Sequence, residues 1–139
     1  MALDHSRAAT GVALADIQLG QARALTVLRQ SKEEARLDHL FKLIQEWEPV
    51  CIVIGLPLDI DGHEQAQSKR VRKFAAKIEA RFGLPLFFHD ERWTTAAAEA
   101  DLRAQGANAR TLTERADAEA AREIMQGFLD ATSQPHHSP

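Results

Sequence analysis

Three carboxylates far apart in this chain, Asp4, Glu91 and Asp117, belong to segments that a simple fold can bring together, and together they could hold a divalent cation. Glu91 stands in "LPLFFHDERWTT", Leu84 to Thr95, where an apolar run gives way at once to His89, Asp90, Glu91 and Arg92. A turn needs only Gly, Asn, Asp or Pro, so it does not account for this crowding of ionisable groups. Oxygen ligands without a Cys or His cluster suit Mg²⁺ or Mn²⁺ rather than zinc. Two such ions about 4 Å apart activate a water and stabilise the leaving oxygen of a phosphodiester. Each residue also has a plainer reading. Asp4 alone is an ordinary carboxylate near a terminus, Asp117 a helix-dipole or capping residue, and Asp90 with Glu91 a turn in which Glu91 pairs with Arg92. Convergence separates the readings, because three carboxylates repel one another unless a cation lies between them.

The elements that must position these residues are legible in the pattern. "MALD" is a short opening strand ended by Asp4. "TGVALA", Thr10 to Ala15, and "RALTVLR", Arg23 to Arg29, form a hairpin through "DIQLGQ". Ser31 and Glu34 make a capping box for a helix whose apolar face carries Leu37, Leu40, Phe41, Ile44 and Trp47, stopped by Pro49. "VCIVIGL", Val50 to Leu56, is apolar on both faces, as a covered central strand should be. A helix over about Glu64 to Phe82 sets Val71, Phe74, Ala75, Ile78 and Phe82 against a basic face of Lys69, Arg70, Arg72, Lys73, Lys77 and Arg81. Gly83 and Pro85 end it, the Leu84 to Phe88 strand follows, and Glu91 closes that strand. An alanine-rich helix is expected from Thr95 to Gln105, capped by Gly106. A last helix from near Thr113 to Ala131 puts Asp117 on one stripe with Ala121, Ile124 and Phe128. This order predicts an α/β fold: a mixed five-stranded sheet, its first three strands antiparallel and the rest parallel, flanked by helices. In such sheets ligands gather at the carboxyl ends of the parallel strands.

The 139 residues predict a single domain over 1–131 and an unstructured tail, "TSQPHHSP", over 132–139. The 45% hydrophobic content is that of a soluble globular chain, and no apolar run spans a bilayer. No secretory pattern opens the chain, and a lone Cys51 in an apolar run excludes a disulfide framework, so the expected location is cytoplasmic. The net charge of −3 gives no general attraction to nucleic acid. A phosphate backbone would need a local basic face, for which Lys69, Arg70 and Lys73 are the candidates, with a merely solvated helix face as the alternative.

Two blocks, "IVIGLPLDIDGHEQ" from Ile52 to Gln65 and "HDERWTT" from His89 to Thr95, resemble closely the YqgF-type family of pre-16S rRNA nucleases, RuvC-like proteins with an RNase H-like fold. The opening "LDHSRAATGVALAD" and the closing "RADAEAA" also resemble that family's motifs, over Leu3 to about Leu129. The resemblance implies an RNase H-like domain, a hydrolase of ester bonds, with Asp4, Glu91 and Asp117 as metal-binding catalytic carboxylates. Arg92, Thr94, Thr95 and Arg115 sit in its motifs and are implied to shape or contact the site. It further implies Mg²⁺- or Mn²⁺-dependent cleavage of RNA in 5′-end maturation of 16S rRNA during ribosome biogenesis.

Other motifs are weaker. Asp59 and Asp61 in "GLPLDIDG" form a calcium-like D-x-D that lacks the remaining EF-hand positions, and a loop at the rim of the site is the favoured reading. His89 is a possible general base but more often such a residue is structural, and Trp93 is expected to pack under the following helix. Two rival functions stay open. One is an RNA or ribosome-assembly binding module that has lost efficient metal binding; the other is a Holliday junction resolvase-like endonuclease acting on structured DNA.

Overall fold

The computed structural model describes residues 1–90 and 109–133, with side chains of the last helix from Ala118 to Ala131. Five strands, β1 (Ala2–His5), β2 (Thr10–Asp16), β3 (Gln21–Leu28), β4 (Ile52–Leu56) and β5 (Leu86–Asp90), form one sheet in the order β3-β2-β1-β4-β5. The pairs β1·β2 and β2·β3 are antiparallel, while β1·β4 and β4·β5 are parallel, as the sequence pattern predicts. Three helices are described: α1 (Glu33–Trp47), α2 (Ala66–Phe82) and α3 (Ala109–Ser133). The alanine-rich helix expected over Thr95 to Gln105 lies outside the described residues.

Strand alternation divides the core into two layers. Met1, Leu3, Val12, Ile52 and Ile54 face α1 and α2, which contribute Leu37, Leu40, Ile44, Val71, Phe74 and Ile78. Ala2, Ala13 and Val53 face α3, which contributes Ala121, Ile124 and Met125. The small residues on this second face let one helix lie close against the middle of the sheet. β4 is buried along its whole length, the property its unalternating apolar sequence requires. β1 is short but paired throughout: the Met1 nitrogen donates to the Cys51 carbonyl at 3.1 Å, and the Met1 carbonyl accepts from Val53 at 2.8 Å.

Several boundaries differ from expectation for identifiable reasons. β5 runs from Leu86 through His89 and Asp90, so the first ionisable groups lie within the strand rather than beyond it. Pro85 cannot donate to the ladder, and pairing starts after it, with its carbonyl accepting from Ile52. β4 begins at Ile52, leaving Val50 exposed. α1 begins at Glu33 with Lys32 as its N-cap and no side-chain capping bond, so the expected Ser31–Glu34 box does not form. The Arg36 guanidinium bonds to the Gln30 carbonyl and holds the incoming chain there instead. α2 begins at Ala66 because Glu64 is drawn into an isolated bridge with Leu58; Gln65 and Ser68 then form a reciprocal capping box. Gly83, at φ 67°, caps α2 as anticipated. α3 is longer than expected at both ends, reaching Ser133.

α1 ends on Glu48 at φ 46°, the one non-glycine residue of positive φ among those described. A left-handed conformation costs an L-residue about 1–2 kcal/mol, part of which glycine would return as chain entropy. Glu48→Gly should therefore raise stability by about 0.5–1 kcal/mol in urea unfolding; a loss of stability would show that Glu48 earns its place through contacts of its side chain.

Candidate active site

Asp4 and His5 are adjacent in sequence and therefore point to opposite faces of the sheet. Asp4 shares its face with Ala2, beneath α3, and is half-buried. On β2 its partner is Gly11, and continuing the parallel register of Ala2↔Val53 and Leu3↔Ile54 by one residue sets Gly55 of β4 on its other side. Neither strand neighbour thus carries a side chain to fill the space beside this carboxylate. The same row continues to His89, which pairs with Gly55. His89 closes the row as a packed residue: a Cβ placed on Gly127 of α3 would come within 2.8 Å of its Nε2. Phe87, two residues earlier, contacts Phe128 of the same helix with ring centroids 5.4 Å apart. These contacts favour the structural role for His89.

The three parallel strands end at one edge, and Asp4 lies at that edge on β1. The last turns of α3 lie at the opposite edge, where Met125 and Leu129 border a cavity with Met1 and Cys51. The earlier turns, which carry Arg115 and Asp117 on the helix backbone, therefore extend toward the edge where Asp4 lies. Positions 117, 121 and 124 share a helical stripe, and Ala121 and Ile124 are fully buried against the sheet. Glu91 directly follows β5 in sequence. Glu91, Arg92, Trp93, Thr94 and Thr95 lie outside the described residues, as do the side chains of Arg115 and Asp117.

On the other face of β1 lies a polar network that the sequence reading missed. Arg36 is only 2% exposed, yet its guanidinium meets no carboxylate among the described residues. Nη1 donates to the Ser6 carbonyl at 2.7 Å and to Thr10 Oγ1 at 3.3 Å; Nη2 donates to the carbonyls of Arg7 at 3.0 Å and Gln30 at 2.8 Å. Nε donates to Gln30 as well, at 3.2 Å. All five donors are spent on uncharged oxygens that belong to the β1–β2 turn, β2 and the approach to α1. Ser6 completes that turn by exchanging bonds with Ala9 through backbone and hydroxyl, and it does so without positive φ. His5 Nδ1 lies 2.9 Å from Thr10 Oγ1, and its ring stacks on Phe74 at 3.7 Å. The available signal was an arginine on the apolar stripe of α1, four residues before Leu40 and eight before Ile44.

The basic face of α2 divides into two groups. Arg72, Lys77 and Arg81 are neutralised by Glu64, Glu33 and Asp38 respectively. Lys69, Arg70 and Lys73, the three singled out as phosphate-binding candidates, have no ion pair among the described residues. Arg70 donates to Gln67 at 2.9 Å, and Gln67 in turn donates to the His5 carbonyl at 2.8 Å. Arg70 and Lys73 line a cavity of about 610 Å³ with His5, Arg7 and Arg36, whereas Lys69 stands outside it. In the loop after β4, Asp59, Asp61 and His63 bring possible metal-ligand atoms within 4.8 Å of one another. Asp59 is already engaged there: its Oδ1 accepts from the backbone of His63 at 2.8 Å and Asp61 at 2.9 Å, which holds its carboxyl below the ordinary range. That geometry is a self-bonded turn, in keeping with a rim loop.

A family model described as "RuvX: Holliday junction resolvase" matches residues 1–131. The chain belongs to the RuvX family. This family is one of nucleases, hydrolases of ester bonds, and it bears out the resemblance carried by the Ile52–Gln65 and His89–Thr95 blocks. A relative from Anaeromyxobacter sp. (strain Fw109-5), named "Putative pre-16S rRNA nuclease", is 45% identical over 130 residues, covering 94% of this chain and 95% of the relative. One of the same name from Thiobacillus denitrificans (strain ATCC 25259 / T1) is 40% identical over 131 residues, covering 94% and 90%. Among solved structures, T. thermophilus RuvC in complex with Holliday junction substrate aligns with a TM-score of 0.55 over 95% of this chain and 93% of that one, at 15% identity. At that identity the likeness is one of fold, the RuvC-like, RNase H-like arrangement that the motifs imply. No helix among the described residues of this RuvX member is long and apolar enough to cross a membrane.

Burial, followed by the Arg36 guanidinium, pushes the His5 imidazole from 6.5 down to about 4. The unfolded chain therefore takes up a proton before the folded one does. The stability contributed by neutral His5 is complete above about pH 6.5 and is lost as pH falls toward 4. In metal-free buffer, urea unfolding at pH 7 and pH 4.5 should show a decline of the order of 2 kcal/mol that His5→Gln removes. Equal declines in the two proteins would assign the loss to other groups.

Proposed function

We propose that this chain is a divalent-metal-dependent nuclease that hydrolyses RNA phosphodiesters, acting in 5′-end maturation of pre-16S rRNA. The observation that carries the reading is Asp4: a half-buried carboxylate at the carboxyl edge of the parallel strands, with glycine on either side, in a chain of a nuclease family. Asp4, Glu91 and Asp117 are the carboxylates assigned to the cation. An all-oxygen donor set fits Mg²⁺ or Mn²⁺, ions that keep part of their water shell when held by carboxylates. When bound, such ions activate a water for attack at phosphorus and neutralise charge on the leaving oxygen. The chain's own residues supply the rest. The carboxylates would hold the ions, Arg70 and Lys73 hold backbone phosphates with Lys69 on the adjoining surface, and Arg92, Thr94, Thr95 and Arg115 shape or contact the site. Residues 1–131 form the single nuclease domain, and the cytoplasm is its proposed location.

RNA is preferred as substrate because the relatives at 40% identity and above carry a pre-rRNA name. The family description and the junction-bound RuvC favour a second reading, cleavage of four-way DNA junctions.

Mn²⁺ at a hundredfold excess over its Kd should stabilise the fold by about 2.7 kcal/mol, a rise of several degrees in a thermal-shift titration. Asp4→Asn and Asp117→Asn should each abolish that rise and lower cleavage of a precursor 16S rRNA fragment more than about 100-fold. Cleavage of a four-way DNA junction in place of the RNA would select the second reading. RNA binding with no metal response and no cleavage would leave a binding module.

A further inference from the structure

The cavity beside the β1–β2 turn has an unusual charge balance for a chain of net charge −3. Arg7, Arg36, Arg70, Lys73 and Lys77 line it against one carboxylate, Glu33. Lys77 is paired with Glu33, and Arg36 has spent its donors on neutral oxygens while keeping its charge. Arg7 on the turn and Lys73 on α2 are exposed, and the side chain of neither has a hydrogen-bond or ion-pair partner among the described residues. His5, its ring backed by the buried Phe74, lines the cavity and gives it a low-dielectric wall, and such walls focus the field of the charges set into them. Uncompensated cations held around one concavity repel one another, and an anion seated among them removes that cost. At about 610 Å³ the cavity exceeds the needs of a phosphate group, and its two partnerless cations stand on separate elements. A chain running between the turn and α2 would meet both.

We propose that this cleft is a backbone-phosphate subsite for the RNA strand, holding phosphates about three nucleotides from the one at Asp4. The proposal rests on the reading of the chain as an RNA nuclease and deepens it. Arg7 is the third residue after Asp4, at most about 11 Å of extended chain, a span that about three stacked nucleotides cover. Because β1 turns Asp4 and His5 to opposite faces, a strand engaged at both places passes over the carboxyl edge of the sheet at the Ser6–Arg7 turn.

The test is fluorescence anisotropy of a labelled single-stranded precursor 16S rRNA fragment with the full chain in EDTA, across a range of KCl concentrations. The double variant Arg7→Ala, Lys73→Ala should weaken binding at least tenfold at low salt and flatten the slope of log K against log salt by about 1.4, two single-strand phosphate contacts. Arg23→Ala with Lys42→Ala removes the same charge outside the cleft and should leave both quantities nearly unchanged. Unaltered binding by the cleft variant, or an equal loss in the control pair, would overturn the proposal. So would displacement of the RNA from wild type by a low-millimolar mononucleotide or inorganic phosphate, which would assign the cleft to a free anion. Matching circular dichroism and melting curves establish that the variants fold, as substitution of two exposed, partnerless side chains should allow. The assay contains no metal and reads binding alone, so absence of cleavage would not affect it, and failure here would leave the metal and cleavage predictions standing.

Discussion

Arg36 ties together the parts of the chain that meet behind the candidate active edge. Its guanidinium reaches the turn after β1, the start of β2 and the end of the β3 segment at once. Without it the carbonyls of Ser6, Arg7 and Gln30 would lose their side-chain donor at partly buried positions, where an unpaired acceptor costs up to about 1–3 kcal/mol. The usual expectation is a buried arginine paired with a carboxylate. Here the charge is satisfied as five hydrogen bonds, which spreads it over backbone dipoles and leaves a net positive field beside the turn. The strand end that presents Asp4 and the cationic cleft behind it are two consequences of one arrangement.

The sheet gives these two features opposite faces by the period of two that governs every strand. Asp4 turns toward α3 and His5 toward α2, so an acidic site and a basic cleft can lie within a few residues of each other without cancelling. On the acidic side both strand neighbours of Asp4 are glycines, whereas on the other side His5 stacks on Phe74. The edge of the sheet thus separates groups that would simply form ion pairs in a flexible loop. On α2 such pairing does occur, where Arg72, Lys77 and Arg81 each find a carboxylate and Arg70 and Lys73 are left for the cleft.

This separation of charge is set in a member of the RuvX family with a RuvC-like topology. The family places the chain among nucleases. What its residues add is a physical account of how one short strand can carry an acidic group on one face and border a basic cleft on the other.

The succession of elements, the mixed five-stranded sheet with helices on its faces and the family were legible in the sequence because they rest on periodicity and on contiguous blocks. An apolar run with no alternation had to be the covered strand β4, and the stripe at Ala121 and Ile124 had to meet the sheet. Boundaries were less legible where a distant partner decided them. Ser31 and Glu34 have the right spacing for a capping box, but Arg36 bonding to Gln30 sets the start of α1; Glu64 looks helical, but its bridge to Leu58 delays α2. The glycines flanking Asp4, the burial of Arg36 and the cleft between the turn and α2 came only from tertiary structure. Register and side-chain reach between residues 26 to 62 positions apart depend on how the elements pack, and no local pattern encodes that.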